Sequence, residues 1–308
     1  MNFLKFVGAV VAITGLGSGA RAQPASTQTV VVTAERTGVP FWRATRGGST
    51  LILVGTIRDI AQGTNWNSAA LDATVSRSQQ VMFPQLTQAT GSPFAMIGWL
   101  AKWKRRARLP AGQTLSAMLS PDDRRRLAGL AERGLAPRDW DRTHPLHLAF
   151  KLHGDLRDRT GVGPTASATV QDAIRRHKVR LLPIQRSKGS AIAGSLFATR
   201  PQDHVSCLAA TLRLVEGGSA ELRRRSQAWA SRQVAAAIAS PAEAVDRQCW
   251  PATARQSLHG ELLATSQRAL AGNATTLAVL DLGSLAGAGG LLDQLQAQGV
   301  DVRGPSWR

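Results

Sequence analysis

The sequence predicts an α/β fold in which a central mixed sheet is interrupted by a large helical insertion. Three observations carry that expectation. Leu51–Val54 and Leu277–Leu282 are apolar runs of the length of strands buried on both faces, and each feeds a turn containing glycine, at Gly55 and Gly283. The stretch between them, from about 94 to 271, is dominated by helical patterns. Strand-like runs flank that stretch on both sides, so residues 38–308 are expected to close into one domain rather than two beads on a linker.

Taken in order, residues 1–22 are expected to be an export signal outside the fold. Met1 and Lys5 form a short basic start, Phe6–Leu16 is apolar, and Ala20-Arg21-Ala22 is a small-x-small cleavage site ahead of Gln23. The apolar run is about ten residues, against the roughly 20 that a bilayer span needs. Residues 23–37 are expected to be flexible. They are polar and Pro/Ser/Thr-rich to Gln28, and the β-branched Thr29–Thr33 then favours either an edge strand or a tether. Phe41–Thr45 reads as a strand, Arg46-Gly47-Gly48 as a turn, and Leu51–Val54 as the second arm of a hairpin. A helix follows from about Asn67 to Gln79, with Ala70, Leu71, Ala73 and Val75 in its apolar stripe. A short strand, Gln80–Phe83, is then ended by Pro84.

The middle is helical. Phe94–Leu100 runs into Lys102, Lys104, Arg105, Arg106 and Arg108 and stops before Pro110. Trp99 and Trp103, four apart beside these cations, suit either a membrane surface or a helix packed on the domain with its basic face wet. Ser120-Pro121-Asp122-Asp123 joins a capping hydroxyl, a proline at the first helical position and early acids, and Gly134 supplies the stop. Pro145 opens a helix through Leu156, Ala166–His177 forms another, and Val179–Leu182 is a strand. Helices run from His204 to Ala271, with breaks at Gly217-Gly218, Pro241 and Pro251. The end returns to α/β order, with a strand at Thr275–Leu282, a flexible loop at Gly283–Gly290, a helix at Leu291–Gln298 and a short strand at Val300–Val302.

Export would place Cys207 and Cys249 in an oxidising space, periplasmic or extracellular. Two cysteines and no third then favour one disulfide, worth about 3 to 4 kcal/mol for so long a loop. Two buried free thiols are the alternative. The formal charge of +18 over 308 residues favours contact with polyanions such as anionic lipid headgroups and acidic polysaccharide. The basic residues are dispersed, with further groups at Arg124–Arg126, at Arg175, Arg176 and Lys178, and at Arg223–Arg225, all of which read as solvated helix faces. No Cys/His finger spacing or RNA-binding aromatic pattern accompanies them, so specific nucleic-acid binding is not expected.

His144, His147 and His153 lie close in sequence, but without an HExxH arrangement or a cysteine cluster they read as caps and core-edge residues rather than metal ligands. Gly283–Gly290 lacks the lysine of a phosphate-binding loop and the spacing of a dinucleotide fingerprint. Ser284 has no G-x-S-x-G context and no histidine placed to activate it. The two strand ends therefore look like places for chemistry, yet they present Arg58 and Ser284.

From about Gly38 to Val302 the chain resembles the TraB/GumN family, whose animal relatives include the Tiki proteases and whose fold is similar to that of erythromycin-esterase and ChaN-like α/β proteins. The resemblance rests on the order and spacing of a Trp-containing opening strand, the Gly55-Thr56 turn, a helix and strand, a helical middle and the turn at Gly283. It implies that Arg58 stands where the family has its first His. Pro84, with Gln85 beside it, stands where a Glu ends the following strand, and Gln185 where another acid often occurs. Ser266 and Gln267 fall on an Arg-Asn pair, and Asp281, Gly283 and Ser284 replace a closing Gly-x-Gly-His turn. Two imidazoles and the accompanying carboxylates imply a divalent metal that activates water. A guanidinium cannot ligate one, and amides and hydroxyls replace carboxylates poorly, so neither a metal nor another cofactor is expected here.

The expected function is that of an exported, catalytically inactive member of this family, binding an unknown protein, peptide or anionic envelope ligand through the inherited cleft or the basic surface. Arg58 is the candidate anion-binding residue, since a guanidinium at a strand end can clamp a carboxylate or phosphate in bidentate fashion. A structural ion pair or an ordinary solvent-facing arginine is the alternative. Two other classes stay open: a divergent metal-dependent peptidase or hydrolase, and a membrane-surface-associated structural protein acting through the Trp99–Arg108 face.

Overall fold

The computed structural model describes residues 26–84, 106–163, 165–184, 199–250, 252–272 and 274–308. Gly47 and Gly48, at φ 52° and 89°, form the two-residue turn that joins β1 (Phe41–Arg46) to β2 (Ser49–Thr56). Positive φ at both positions matches the right-handed twist of the hairpin arms and sets the antiparallel register Arg46↔Ser49 through Phe41↔Val54. β2 lies parallel to β5 (Thr276–Asp281), with Gly55 opposite Leu280 and Thr56 opposite Asp281. β3 (Gln80–Pro84) is parallel to β5 on its other side, and β4 (Arg180–Ile184) is parallel to β3 beyond it. At the opposite edge β6 (Asp301–Arg303) pairs antiparallel with β1.

The strand order is therefore β4-β3-β5-β2-β1-β6. Leu51–Val54 and Leu277–Leu280 are buried at every position, which requires helices on both faces of the sheet. The turns that follow β2 and β5 emerge side by side at one end of the sheet. That juxtaposition is what the two glycine-ended apolar runs predict.

The helices are α1 (Thr27–Glu35), α2 (Ser68–Arg77), α3 (Leu115–Met118), α4 (Pro121–Glu132), α5 (Pro145–Thr160), α6 (Ala166–His177), α7 (Val205–Ala230), α8 (Val234–Ile238), α9 (Pro241–Gln248), α10 (Ala252–Ala271), α11 (Leu282–Ala286) and α12 (Leu291–Ala297). They divide between two apolar cores. One surrounds the sheet, and the other is made by α3, α4, α5, the first half of α7 and α9. Helix α7 belongs to both: Cys207 to Val215 and Leu222 lie in the helical core, whereas Ala228 and Trp229 lie in the sheet core. Between its halves Gly218, at φ 62° and ψ −157°, breaks the helical geometry in a conformation that suits glycine. At the far end the Trp229 indole donates to the Gly55 carbonyl at 2.9 Å, tying α7 to the end of β2.

Three local expectations are corrected. Where the sequence predicts a flexible stretch with strand propensity at Thr29–Thr33, the chain forms α1. Ser26 caps it by accepting from the Thr29 amide, and Val30 and Ala34, four apart, are fully buried while Val32 is 37% exposed. Burial at i and i+4 is the period of a helix, and it overrides the β-branched composition. The Gly283–Gly290 loop begins as the helical turn α11, because the Asp281 carboxylate accepts from the Ser284 amide at 3.1 Å. Pro84 closes β3 from inside the ladder, paired with Ile184, rather than lying beyond it. The predicted export signal, Gln85, Gln185 and the Trp99–Trp103 segment lie outside the described residues. Among the described residues no helix is long and apolar enough to cross a membrane.

Cys207, in the first turn of α7, is bonded to Cys249 just past α9, 42 residues along the chain. The bond fixes α9 against α7 at the edge of the helical core. Replacing both cysteines with alanine should lower the unfolding free energy by about 3 to 4 kcal/mol, read as a reduced urea midpoint. An unchanged midpoint would mean that α9 is held by packing and charge alone.

Candidate functional site

The end of the sheet where β2 and β5 terminate is built around two glycines that permit close approach. A Cβ on Gly55 would lie 2.6 Å from Leu282 Cδ1 and 3.2 Å from the Trp42 ring, so only glycine lets α11 pack down on the end of β2. Thr56 Oγ1 donates to the Leu280 carbonyl at 3.0 Å and locks the two strand ends together. A Cβ on Gly283 would lie 1.8 Å from Glu243 Oε1, which places a carboxylate from α9 directly against the turn after β5.

Glu243 and Asp246 are three apart on α9 and therefore share a face. That face meets Arg225, the fully buried arginine of α7. Its Nη2 donates to Glu243 Oε2 at 2.6 Å and lies 3.3 Å from Asp246 Oδ2. Arg58, on the turn after β2, reaches the other oxygen of Asp246 through Nε at 3.3 Å and lies over the Trp250 ring at 5.7 Å from its centroid. Asp281 completes the cluster, and one carboxylate oxygen each from Glu243, Asp246 and Asp281 all lie within 4.8 Å of one another. The side chains of Arg225, Glu243 and Asp246 are 0, 5 and 9% exposed, whereas that of Arg58 is 52% exposed.

Three carboxylates thus face two guanidiniums, one of them half in solvent. Burial pushes Glu243 up, the neighbouring Asp281 adds to the push, and Arg225 only partly offsets it, leaving the carboxyl at about 7. Burial and the Asp246 carboxylate raise Asp281 in the same way, against Arg225 and the Ser284 amide. Burial works against the charged form of Arg225, but Asp246 and Glu243 outweigh it and hold the guanidinium charged beyond its ordinary range. Both shifts favour a proton on the carboxylates at pH values where exposed carboxyls are ionised.

Immediately after Arg58, the buried Asp59 forms a second set of contacts. His153 Nε2 lies 2.8 Å from Asp59 Oδ2 and Arg157 Nε lies 2.6 Å from Oδ1, both residues coming from α5. Burial would raise Asp59, but the His153 hydrogen bond and the charges of His153, Arg157 and Arg58 bring it below its ordinary value. The loop after β2 is thereby anchored on the helical core. His144 has the capping role expected of it, accepting from the Leu146 amide at 3.2 Å at the start of α5.

Of the residues singled out in the sequence, the structure brings Gly55, Thr56, Arg58, Asp281, Gly283 and Ser284 to one end of the sheet. Pro84 closes β3, which is paired with β5. Ser266 and Gln267 do not join the site. Ser266 is buried against the Met82 sulfur, and Gln267 bonds Gln298 on the surface. Arg225 is a correction, because Arg223–Arg225 reads as a solvated face whereas Arg225 is buried to the last atom of its side chain. Glu243 and Asp246 escape sequence reasoning altogether. The one available signal is an i,i+3 acid pair on a helix facing an arginine run, and that pattern is common on solvated surfaces.

The three carboxylates are an all-oxygen donor set of the kind that hard divalent cations take, but two guanidiniums compete for it. Arg225 bonds Glu243 and contacts Asp246, and Arg58 takes the second oxygen of Asp246. Asp281 is engaged in capping α11. A family model described as the TraB/PrgY/gumN family matches residues 40–304. No curated protein and no solved structure matches the chain.

The raised carboxyl of Glu243 has a defined consequence for stability. Its folded value of about 7 lies above its ordinary 4.5, so between those values the folded chain holds more protons than the unfolded one. Stability therefore falls as pH rises through that window, and the penalty is complete above it. Glu243→Gln should flatten the decline in urea-unfolding free energy between pH 5 and pH 8 by about 1 to 3 kcal/mol. Parallel curves for the two proteins would show that Glu243 does not hold the proton.

Proposed function

We propose that this chain, which belongs to the TraB/PrgY/gumN family, keeps the family fold as an exported, catalytically silent binding protein. The observation that carries this is the internal neutralisation of the strand-end site. A hydrolytic metal centre leaves carboxylate oxygens for the cation and a coordination position for water. Here Arg225 and Arg58 engage one oxygen of Glu243 and both oxygens of Asp246 instead. The family resemblance supports the same conclusion, since on it Arg58 and Ser284 stand in for imidazoles.

Binding falls to Arg58. Its Nε is engaged by Asp246 and its plane lies over Trp250, while Nη1 and Nη2 make no hydrogen bond among the described residues. A half-exposed guanidinium oriented in this way presents a two-pronged donor to a carboxylate of a peptide or protein, or to an acidic envelope ligand. Export would bring the mature chain, from Gln23 onward, to the periplasm or beyond, where its positive charge favours anionic surfaces. The second reading, a divergent hydrolase, draws on Glu243, whose carboxyl titrates in the range of a general acid. Its burial against Gly283 and its bond to Arg225 separate it from a substrate.

Metal analysis and turnover on the exported protein purified without chelators test this proposal, together with hexaglutamate titrations of the wild type and Arg58→Ala. The expected result is no stoichiometric divalent ion, no chelator-sensitive peptidase turnover, and hexaglutamate binding weakened about five- to tenfold by the substitution. A tightly held ion whose removal abolishes turnover would overturn the silent reading. Equal hexaglutamate affinities would remove Arg58 from the binding role.

A further inference from the structure

Away from the strand-end cluster, and sharing no residue with it, a groove of about 490 Å³ opens between α1, the β1–β6 edge of the sheet and the residues that follow α7. Its charge is unusual for a sheet edge. Arg43 on β1 and Arg303 on β6 are direct cross-strand partners in the antiparallel register. Like charges in that position destabilise a sheet. A third guanidinium, Arg232, comes from just past the end of α7, where its backbone sits at φ 58°, a conformation that non-glycine residues adopt at a cost. Arg232 is held in place on two sides. Its Nη2 donates to the Glu35 carbonyl at 2.5 Å, and the guanidinium lies 5.5 Å over the Phe41 ring.

Two unfavourable features, a like-charge cross-strand pair and a left-handed arginine, thus converge on one groove. Among the described residues Arg43 and Arg232 have no ion-pair partner. Arg303 is 70% exposed and uses Nε on Asp301, which leaves its terminal nitrogens to the groove. Glu35 is the single carboxylate in the lining, against three guanidiniums. The remaining walls are apolar, with Val31 and Pro305 beside the half-buried Phe41 ring. An occupant that satisfies both parts carries a compact double negative charge and a planar or apolar body. A phosphate monoester has that charge and three strong acceptor oxygens for three arginines, whereas a single carboxylate has one charge and two oxygens.

We infer that this groove is a binding site for a phosphate monoester attached to an apolar or aromatic group. The ester is either a soluble compound or a lipid headgroup. The test uses the full exported chain, with phenyl phosphate as the soluble probe and phosphatidylcholine vesicles with or without phosphatidic acid as the lipid probe. Arg43→Gln and Arg303→Gln should each weaken binding about tenfold, and phenyl phosphate should bind more tightly than inorganic phosphate. Arg138→Gln, at an exposed site remote from the groove, should leave binding unchanged. Because the substitutions remove a like-charge pair, both groove variants should keep or raise the thermal midpoint without ligand, so a loss of binding is not a loss of fold. Arginine-dependent binding in the soluble arm identifies a free ester, and in the vesicle arm alone it identifies a lipid. Absence of binding in both arms, or equal weakening by Arg138→Gln, would overturn the inference.

Discussion

The buried guanidinium of Arg225 is the constraint on which the rest of this structure depends. A charge removed from water is tolerated only when paired and hydrogen-bonded, and leaving one such partner unpaired costs about 3 to 5 kcal/mol. Arg225 meets that demand with Glu243 and Asp246, and through Asp246 it is linked to Arg58 on the turn after β2. Four separate pieces of chain are thereby brought together: α7, α9, the loop after β2, and the turn after β5 that Glu243 touches at Gly283. The disulfide between Cys207 and Cys249 fixes α9 on α7 from the side of the helical core. Arg225 lies on α7 between Leu222 in the helical core and Trp229 in the sheet core, so the ion-pair cluster is also the joint between the two apolar bodies.

The same arrangement sets the character of this end of the sheet. Strand ends in parallel α/β sheets offer converging side chains and open space, which is why ligands gather there. In this chain much of the convergence is used up internally: Arg225 bonds Glu243 and contacts Asp246, Arg58 takes the other oxygen of Asp246, and Asp281 caps the helix after β5. Burial and the neighbouring carboxylates favour a proton on Glu243, raising its carboxyl to about 7. What remains half exposed at the mouth is the Arg58 guanidinium, over the Trp250 ring. The second arginine-rich place, along the β1–β6 edge, differs in kind, since three guanidiniums there share a lining with the single carboxylate of Glu35, and only Arg303 among them has an ion-pair partner among the described residues.

Much of the architecture was legible in the amino-acid sequence, for identifiable reasons. The apolar runs of β2 and β5 are continuous because both faces of a parallel strand are buried, and Gly55 and Gly283 mark the turns because their missing Cβ atoms are filled by Leu282 and Glu243. Ser120-Pro121 and Pro145 announce helices that begin where those residues place them. Local signals failed where a distant partner decided the outcome. Val30 and Ala34 turn Thr29–Thr33 into a helix by being buried on one side, and Arg225 leaves the apparent solvated face of Arg223–Arg225 because two acids 18 and 21 residues further on face it. Arg58 and Asp281 were found as positions at strand ends, but their meaning depends on Glu243 and Asp246, which no motif marks.

The central claim, that the strand-end carboxylates are balanced by two guanidiniums and one retained proton, is tested most directly by a carbon-13 NMR titration of the Glu243, Asp246 and Asp281 carboxyl groups. The account predicts that the Glu243 carboxyl keeps its proton through pH 6 and releases it at about pH 7. Ionisation of Glu243 below about pH 5, as for an ordinary carboxylate, would contradict it.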